Sequence, residues 1–174
     1  MTMTIQRSIE AFLEQNRIPF TTFGHPAAFT AQEQAAAAHV PGWHWAKSVV
    51  CIADGTPVFA VLPAPCVVDF ERLRRLIGAE QIRLATEDEI ARLFPDCERG
   101  AAPPFGVLYG YPVFIDSRLV GEPEMVVEGG RRTSAICMHY GDFAEVAHPV
   151  VGSFGCLPEQ PRPIISAPAE SASA

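Results

Sequence analysis

Two β-rich runs on either side of a two-residue turn constrain this chain more than any other stretch. Residues 47–53 and 56–62 are dominated by Val, Ile, Phe and Ala, and between them stands Asp54-Gly55. An Asp-Gly pair suits a tight turn that needs positive φ, because Gly has no Cβ to clash and Asp tolerates the left-handed region. The pattern predicts a β-hairpin, with Lys47 at the start of its first strand.

The remaining elements are short. Ile5, Ile9, Phe12 and Leu13 recur at helical spacing, so a first helix ends near Asn16 and Ile18-Pro19-Phe20 turns extended as a first strand. Thr30-Ala31-Gln32-Glu33 has the form of a capping box ahead of an Ala-rich helix that stops by Pro41-Gly42. Asp69 can cap a helix running to Gly78, residues 81–85 form a short strand, and Thr86-Glu87-Asp88-Glu89 repeats the capping-box form before a helix through Leu93. Residues 94–106 hold too much Gly and Pro for helix or inner strand, and core segments flank them so tightly that they read as a loop within one domain.

Strands are expected at residues 107–108, 113–115, 125–127 and 134–138, the last closing the series, and a final helix at residues 141–146 ends at His148-Pro149. Strand and helix do not alternate regularly enough for a doubly wound fold. The expected class is α+β, a single domain with a mixed, mostly antiparallel sheet flanked by short helices. It covers residues 1–156, and the Pro/Ala/Ser-rich residues 157–174 read as a disordered tail.

With 174 residues and 48% hydrophobic content the chain can bury one good core but hardly two. The net charge of −7 argues against coating a long nucleic acid or reading DNA, since such binding needs many phosphate contacts from Lys and Arg. It does not argue against holding a single nucleotide end. Arg72, Arg74, Arg75 and Arg83 form either a local basic footprint or a solvated helix face. The five Cys residues are widely spaced and read as reduced, buried thiols. The five His residues form no metal pattern, and no phosphate-cradling Gly-rich motif is present, so neither metal nor cofactor is expected. The apolar runs fall short of a membrane span, and the opening residues form an amphipathic stretch rather than a basic-then-apolar leader; a cytoplasmic protein is expected.

Of the thirteen basic residues twelve are Arg, and the single Lys is Lys47. A lone ammonium in such a chain suggests a role that guanidinium cannot fill, one needing a compact charge on a flexible stem with a proton it can lose. The competing reading is a lysine retained by chance on an exposed strand.

Several motifs in order carry a resemblance. His25-Pro26, Thr30-Ala31-Gln32-Glu33, Ala46-Lys47-Ser48-Val49-Val50, the stretch from Phe94-Pro95-Asp96 to Pro104-Phe105-Gly106, and Ile136-Cys137-Met138-His139-Tyr140-Gly141-Asp142-Phe143 together resemble the YbaK/ProX family, from about Gln6 to Phe154. These are free-standing relatives of the editing domain inserted in bacterial prolyl-tRNA synthetase. The resemblance implies hydrolysis of an ester between tRNA and a wrongly attached small amino acid, with tRNA(Pro) the expected carrier. It puts the family's functional lysine on Lys47 and its Gly-x-x-x-Pro loop on Gly100-Ala101-Ala102-Pro103-Pro104.

That loop suits ester cleavage: Gly100 can take angles closed to other residues, Pro104 stiffens the exit, and the N–H groups of Ala101 and Ala102 can point at one spot, where a carbonyl oxygen becomes negative. The alternative is a rigid surface turn. In the implied mechanism Lys47 contacts the phosphate of the terminal adenosine, and a water attacks with help from the free 2′-hydroxyl of the tRNA. The implied substrate-binding residues are Phe29, Thr30, Ser48, Gly130 and Arg132. Gly129-Gly130-Arg131-Arg132 resembles a stretch of the branch acting on cysteinyl-tRNA(Pro), whereas the Gly100 loop looks more like other branches, which leaves Cys, Ala, Ser and Thr open. Implied partners are the aminoacyl-tRNA 3′ end and, as candidates, prolyl-tRNA synthetase or an elongation factor. The competing function is a non-catalytic module of the same fold that binds a tRNA end or a synthetase.

Overall fold

The hairpin forms as its turn chemistry requires. In the computed structural model, which describes residues 5–159, Asp54 and Gly55 have φ of 47° and 81° and join two strands in register from Ala46 opposite Pro63 to Ala53 opposite Thr56. In chain order the strands are β1 (Thr21–Gly24), β2 (Trp45–Ala53), β3 (Thr56–Pro63), β4 (Val67–Val68), β5 (Ile82–Leu84), β6 (Val113–Asp116), β7 (Met125–Glu128), β8 (Ser134–Met138), β9 (Val150–Gly152) and β10 (Gly155–Cys156). The helices are α1 (Ile5–Gln15), α2 (Ala31–Ala37), α3 (Phe70–Ile77), α4 (Glu87–Leu93) and α5 (Tyr140–Ala147).

The main sheet runs β1-β8-β7-β2-β3-β6-β9, with β5 added to β2 beyond the end of β7, and β4 pairs with β10 separately. β1 with β8, β7 with β8, β2 with β3 and β2 with β5 are antiparallel, while β7 with β2, β3 with β6 and β6 with β9 are parallel. Helices cover both faces. On one, Ile9 and Leu13 of α1 and Phe143 of α5 pack with Val50, Val61, Phe94 and Phe105; on the other, Leu73 of α3 packs with Cys51, Leu62 and Phe154, and Ala35 of α2 with Trp45 and Val126. The expected α+β class with a mixed sheet is what forms.

Three expectations are corrected. Ile18-Pro19-Phe20 is not the first strand: Ile18 donates its N–H to the Leu13 carbonyl with Arg17 at φ 57°, so it finishes the helix, and Pro19 has no N–H for a ladder. Val107 and Leu108 lie in a 3-10 turn, where Gly110 at φ 75° returns its N–H to Val107 and Gly106 sits so close to Tyr111 that a Cβ would meet that carbonyl at 2.6 Å. The strand series does not close at Met138, because β9 returns parallel to β6 and β10 joins β4. The expected tail falls mostly on residues 160–174, outside those described.

Candidate active site

The candidate site lies where the sheet forks. Along one edge β2 is paired with β3 throughout; along the other it meets β7 at Trp45 and Ala46 and β5 at Cys51, Ile52 and Ala53. Between those two partners the edge at Lys47, Ser48 and Val49 has no strand beside it, and the Val50 carbonyl is taken by the Ala85 N–H. Lys47 is the first residue past the point where β7 turns away. A strand sends successive side chains to opposite faces. Lys47 therefore shares a face with Trp45 and Cys51, the face that carries α2 and α3.

Its side chain is half-buried, and the ammonium donates to the Ala64 carbonyl at 3.1 Å. Burial lowers the Lys47 pKa from its usual value, opposed by the nearby Cys66 and Glu128. In front of Lys47 opens a cleft of about 470 Å³ lined by Thr30, Ala31, Gln32, Glu33 and Ala64. The start of α2 forms its wall, and the predicted capping box builds that start: the Thr30 hydroxyl accepts from the Glu33 N–H at 3.2 Å, and the Glu33 carboxylate accepts from Thr30 and Phe29 at 3.0 and 3.2 Å. Those amides hold the Glu33 carboxyl below the usual carboxylate range.

The Gly100 loop reaches the same segment. Gly100 has φ 75°, and a Cβ there would meet the Phe29 carbonyl at 3.2 Å. The fully buried Gln34 side chain donates to the Gly100 carbonyl at 3.4 Å. Arg132 closes the arrangement: its guanidinium lies 4.7 Å from the centre of the exposed Phe29 ring, its Nε donates to the Arg99 carbonyl at 2.7 Å, and its N–H donates to the Glu98 carboxylate at 2.8 Å. Gly130, at φ 88°, accepts from the Glu98 N–H at 3.0 Å. Phe29, Thr30, Lys47, Gly100, Gly130 and Arg132 are thus joined through residues 29–34 and 98–100.

Two of the expected site residues are placed differently. Ser48 lies on the face of Ala46 and Val50, opposite Lys47, and its buried hydroxyl has no partner. The expected pair of free amides is reduced, since the Ala101 N–H is spent on the Glu98 carbonyl at 3.1 Å. Among the described residues the Ala102 N–H has no acceptor, and Pro103 and Pro104, both buried, have no N–H to offer. The Arg72 group is a solvated, neutralised surface: Arg72 pairs with Asp69, Arg74 and Arg75 with Glu71, and Arg83 with Glu89.

Sequence reasoning missed Glu128, the last residue of β7, which is only 4% exposed. Burial drives its carboxyl pKa well above the usual carboxylate range, against the attraction of Lys47. The available signal was a carboxylate ending the apolar run Met125-Val126-Val127 just ahead of Gly129-Gly130. Among the described residues no cluster of three or more His, Cys, Asp or Glu side chains could hold a metal ion, and no helix is long and apolar enough to cross a membrane.

Solved structures share this fold. A hypothetical protein superposes with a TM-score of 0.77 at 19% identity, covering 85% of this chain and 99% of its own. A candidate trans-editing enzyme for prolyl-tRNA synthetase superposes with a TM-score of 0.75 at 22% identity, covering 88% and 98%. In sequence, the proline–tRNA ligase of Nitratidesulfovibrio vulgaris (strain Hildenborough) is 30% identical over 102 residues, which are 59% of this chain and 18% of that enzyme. The chain therefore spans less than a fifth of the length of this curated relative. The fold is that of a small editing domain. The aminoacyl-tRNA editing domain family matches residues 25–146, and this chain belongs to it, as its motifs in order implied.

Proposed function

We propose that this chain is an aminoacyl-tRNA deacylase acting in trans, which hydrolyses the ester of a mischarged small amino acid on tRNA. One observation carries the reading: the Lys47 cleft and the Gly100 loop meet on the same short segment, residues 29–34. The half-buried Lys47 ammonium contacts the phosphate of the terminal adenosine, and the free N–H of Ala102 receives the ester carbonyl as it gains negative charge. Glu33 and Glu98 are occupied in holding the walls, so neither serves as general base. The attacking water is oriented by the 2′-hydroxyl of the substrate, which proximity makes effective without a side-chain base. Such a second sieve is useful because one methylene separates substrates by only about 1–3 kcal/mol in a synthetase pocket. Cys, Ala, Ser and Thr on tRNA(Pro) form the proposed substrate set.

A second reading, a non-catalytic module for a tRNA end, is favoured by the engagement of the Ala101 amide, which leaves a single free donor in the loop. A panel of mischarged tRNAs, assayed for release of labelled amino acid, separates the two. The expected result is release of one small amino acid, reduced on the order of 10²-fold in Lys47→Ala with unchanged circular dichroism and only partly restored in Lys47→Arg. Wild-type turnover in Lys47→Ala would remove the lysine from the mechanism. Tight binding of every charged tRNA without release would establish the binding module.

A further inference from the structure

The carboxyl of Glu128 is the one buried charge of the site that the mechanism above leaves without a task. Trp45 lies opposite Val126 and Ala46 opposite Val127, so the ladder carries Lys47 and Glu128 to adjacent places on one face of the sheet. On its other side Glu128 is paired with Ala135 of β8. Cys97, at the head of the Gly100 loop, is also within electrostatic reach of Glu128.

Despite this nearness the two charges form no ion pair, because the Lys47 ammonium is turned to the Ala64 carbonyl. No described residue hydrogen-bonds to the Glu128 carboxyl. The other carboxylates of the site are satisfied, Glu33 by the amides of Phe29 and Thr30 and Glu98 by the amide of Arg132. The Glu128 oxygens are not among the fully enclosed unpaired polar atoms, but with only 4% of the residue exposed and no donor the ionised carboxyl is costly, and a bound cation relieves that cost.

We propose that Glu128 is the acceptor for the α-ammonium of the esterified amino acid, so that the site takes aminoacyl esters and rejects acyl esters that lack this charge. The inference rests on reading the Lys47 cleft as the ester site. The charges then balance in two pairs: Lys47 faces a phosphate of the adenosine, and Glu128 faces the α-ammonium. Without Glu128 the second ammonium would enter a half-buried cleft that holds the like-charged Lys47 and whose lining carboxylate, Glu33, is already engaged by the amides of Phe29 and Thr30. The approaching ammonium also favours the ionised carboxyl, which burial alone disfavours.

The test needs no turnover. Two non-hydrolysable 3′-amino-adenosine 5′-phosphate analogues carry amide-linked alanine or amide-linked lactic acid, identical except for ammonium against hydroxyl, and their affinities are measured by titration calorimetry. Wild-type protein is expected to bind the alanyl analogue on the order of 10- to 100-fold more tightly, the range for a hydrogen bond between charged groups. Glu128→Gln is expected to lower affinity for the alanyl analogue far more than for the lactyl analogue and so to abolish that preference, and Glu128→Asp to restore part of it. Equal affinity of the wild type for both analogues overturns the assignment whatever the variants do, as does a preference that survives in folded Glu128→Gln. Failure of the wild type to bind either analogue overturns the ester-site reading and this inference with it.

Discussion

Two buried carboxylates divide this molecule into a region finished by folding and a region left open. Asp116, fully buried at the end of β6, accepts from the N–H groups of Phe154 and Gly155 at 3.0 and 2.6 Å and from the N–H and guanidinium of Arg118 at 3.1 and 3.0 Å. Burial alone would raise its pKa, but the amides of Gly155 and Arg118, the Arg118 guanidinium and the Phe154 amide outweigh it and hold the carboxyl below its usual range. Glu128, on the same sheet and 4% exposed, has a charged neighbour and no donor, and its carboxyl is pushed the other way. The difference lies in the surroundings of the two groups. Asp116 stitches the returning chain of residues 154–155 to the sheet, whereas Glu128 stands at the fork where β7 parts from β2, with no donor among the described residues.

The largest effect that would break this contrast belongs to Asp116. Asp116→Ala strands the buried amides of Phe154 and Gly155 and removes the ion pair with Arg118, and is expected to destabilise the fold by about 3 kcal/mol, read as a fall in Tm of roughly 6–12 °C. The folded-state pKa of Asp116 lies below its unfolded value, so its stabilisation is complete above the unfolded pKa and is lost as pH falls through the folded one. A variant as stable as the wild type at pH 7 would place Asp116 in the same class as Glu128 and end the comparison.

The next effect concerns the loop that faces the fork. Gly100→Ala puts a Cβ at φ 75° and 3.2 Å from the Phe29 carbonyl, so the loop must shift or strain. Because the loop carries the Ala102 amide, turnover of the best mischarged tRNA should drop on the order of 10²-fold with little change in KM, the pattern expected when a transition-state contact is lost. Thermal melting measured alongside separates strain from chemistry. A raised KM with unchanged turnover would make the loop a docking surface.

These sites differ in how far the sequence betrays them. Gly100 is marked by the family resemblance, which puts the Gly-x-x-x-Pro loop on Gly100-Ala101-Ala102-Pro103-Pro104, since on its own that stretch reads as a rigid surface turn. Lys47 is visible because it is the only lysine, and Thr30 through its capping box, both by local chemistry. The hairpin at Asp54-Gly55 is legible for the same reason, while β9 and β10 are not, since they depend on a return across the sheet that Asp116 secures from thirty-eight and thirty-nine residues away. Ser48 was misplaced because adjacency in sequence is opposition across a strand. The placement of Glu128 is invisible in Met125-Val126-Val127-Glu128, because only the parallel register with β2 brings it beside Lys47.

The smallest expected effect sharpens the comparison most, because its sign is opposite to that at Asp116. The folded-state pKa of Glu128 lies above its unfolded value, so between the two the folded chain binds more protons and its stability falls as pH rises. Glu128→Gln removes the ionisation while keeping the shape of the protonated acid. It should therefore leave Tm unchanged near pH 4 and raise it at pH 8 by roughly 2–4 °C, the shift that about 1 kcal/mol produces in a chain of this size. Paired melting curves of wild type and variant across that range are the measurement. A Tm lowered at pH 8 would mean that Glu128 is held by native contacts, as Asp116 is. A Tm raised at pH 8, together with loss of the preference for an ammonium-bearing ligand, identifies a carboxylate that costs the fold stability and serves the ligand.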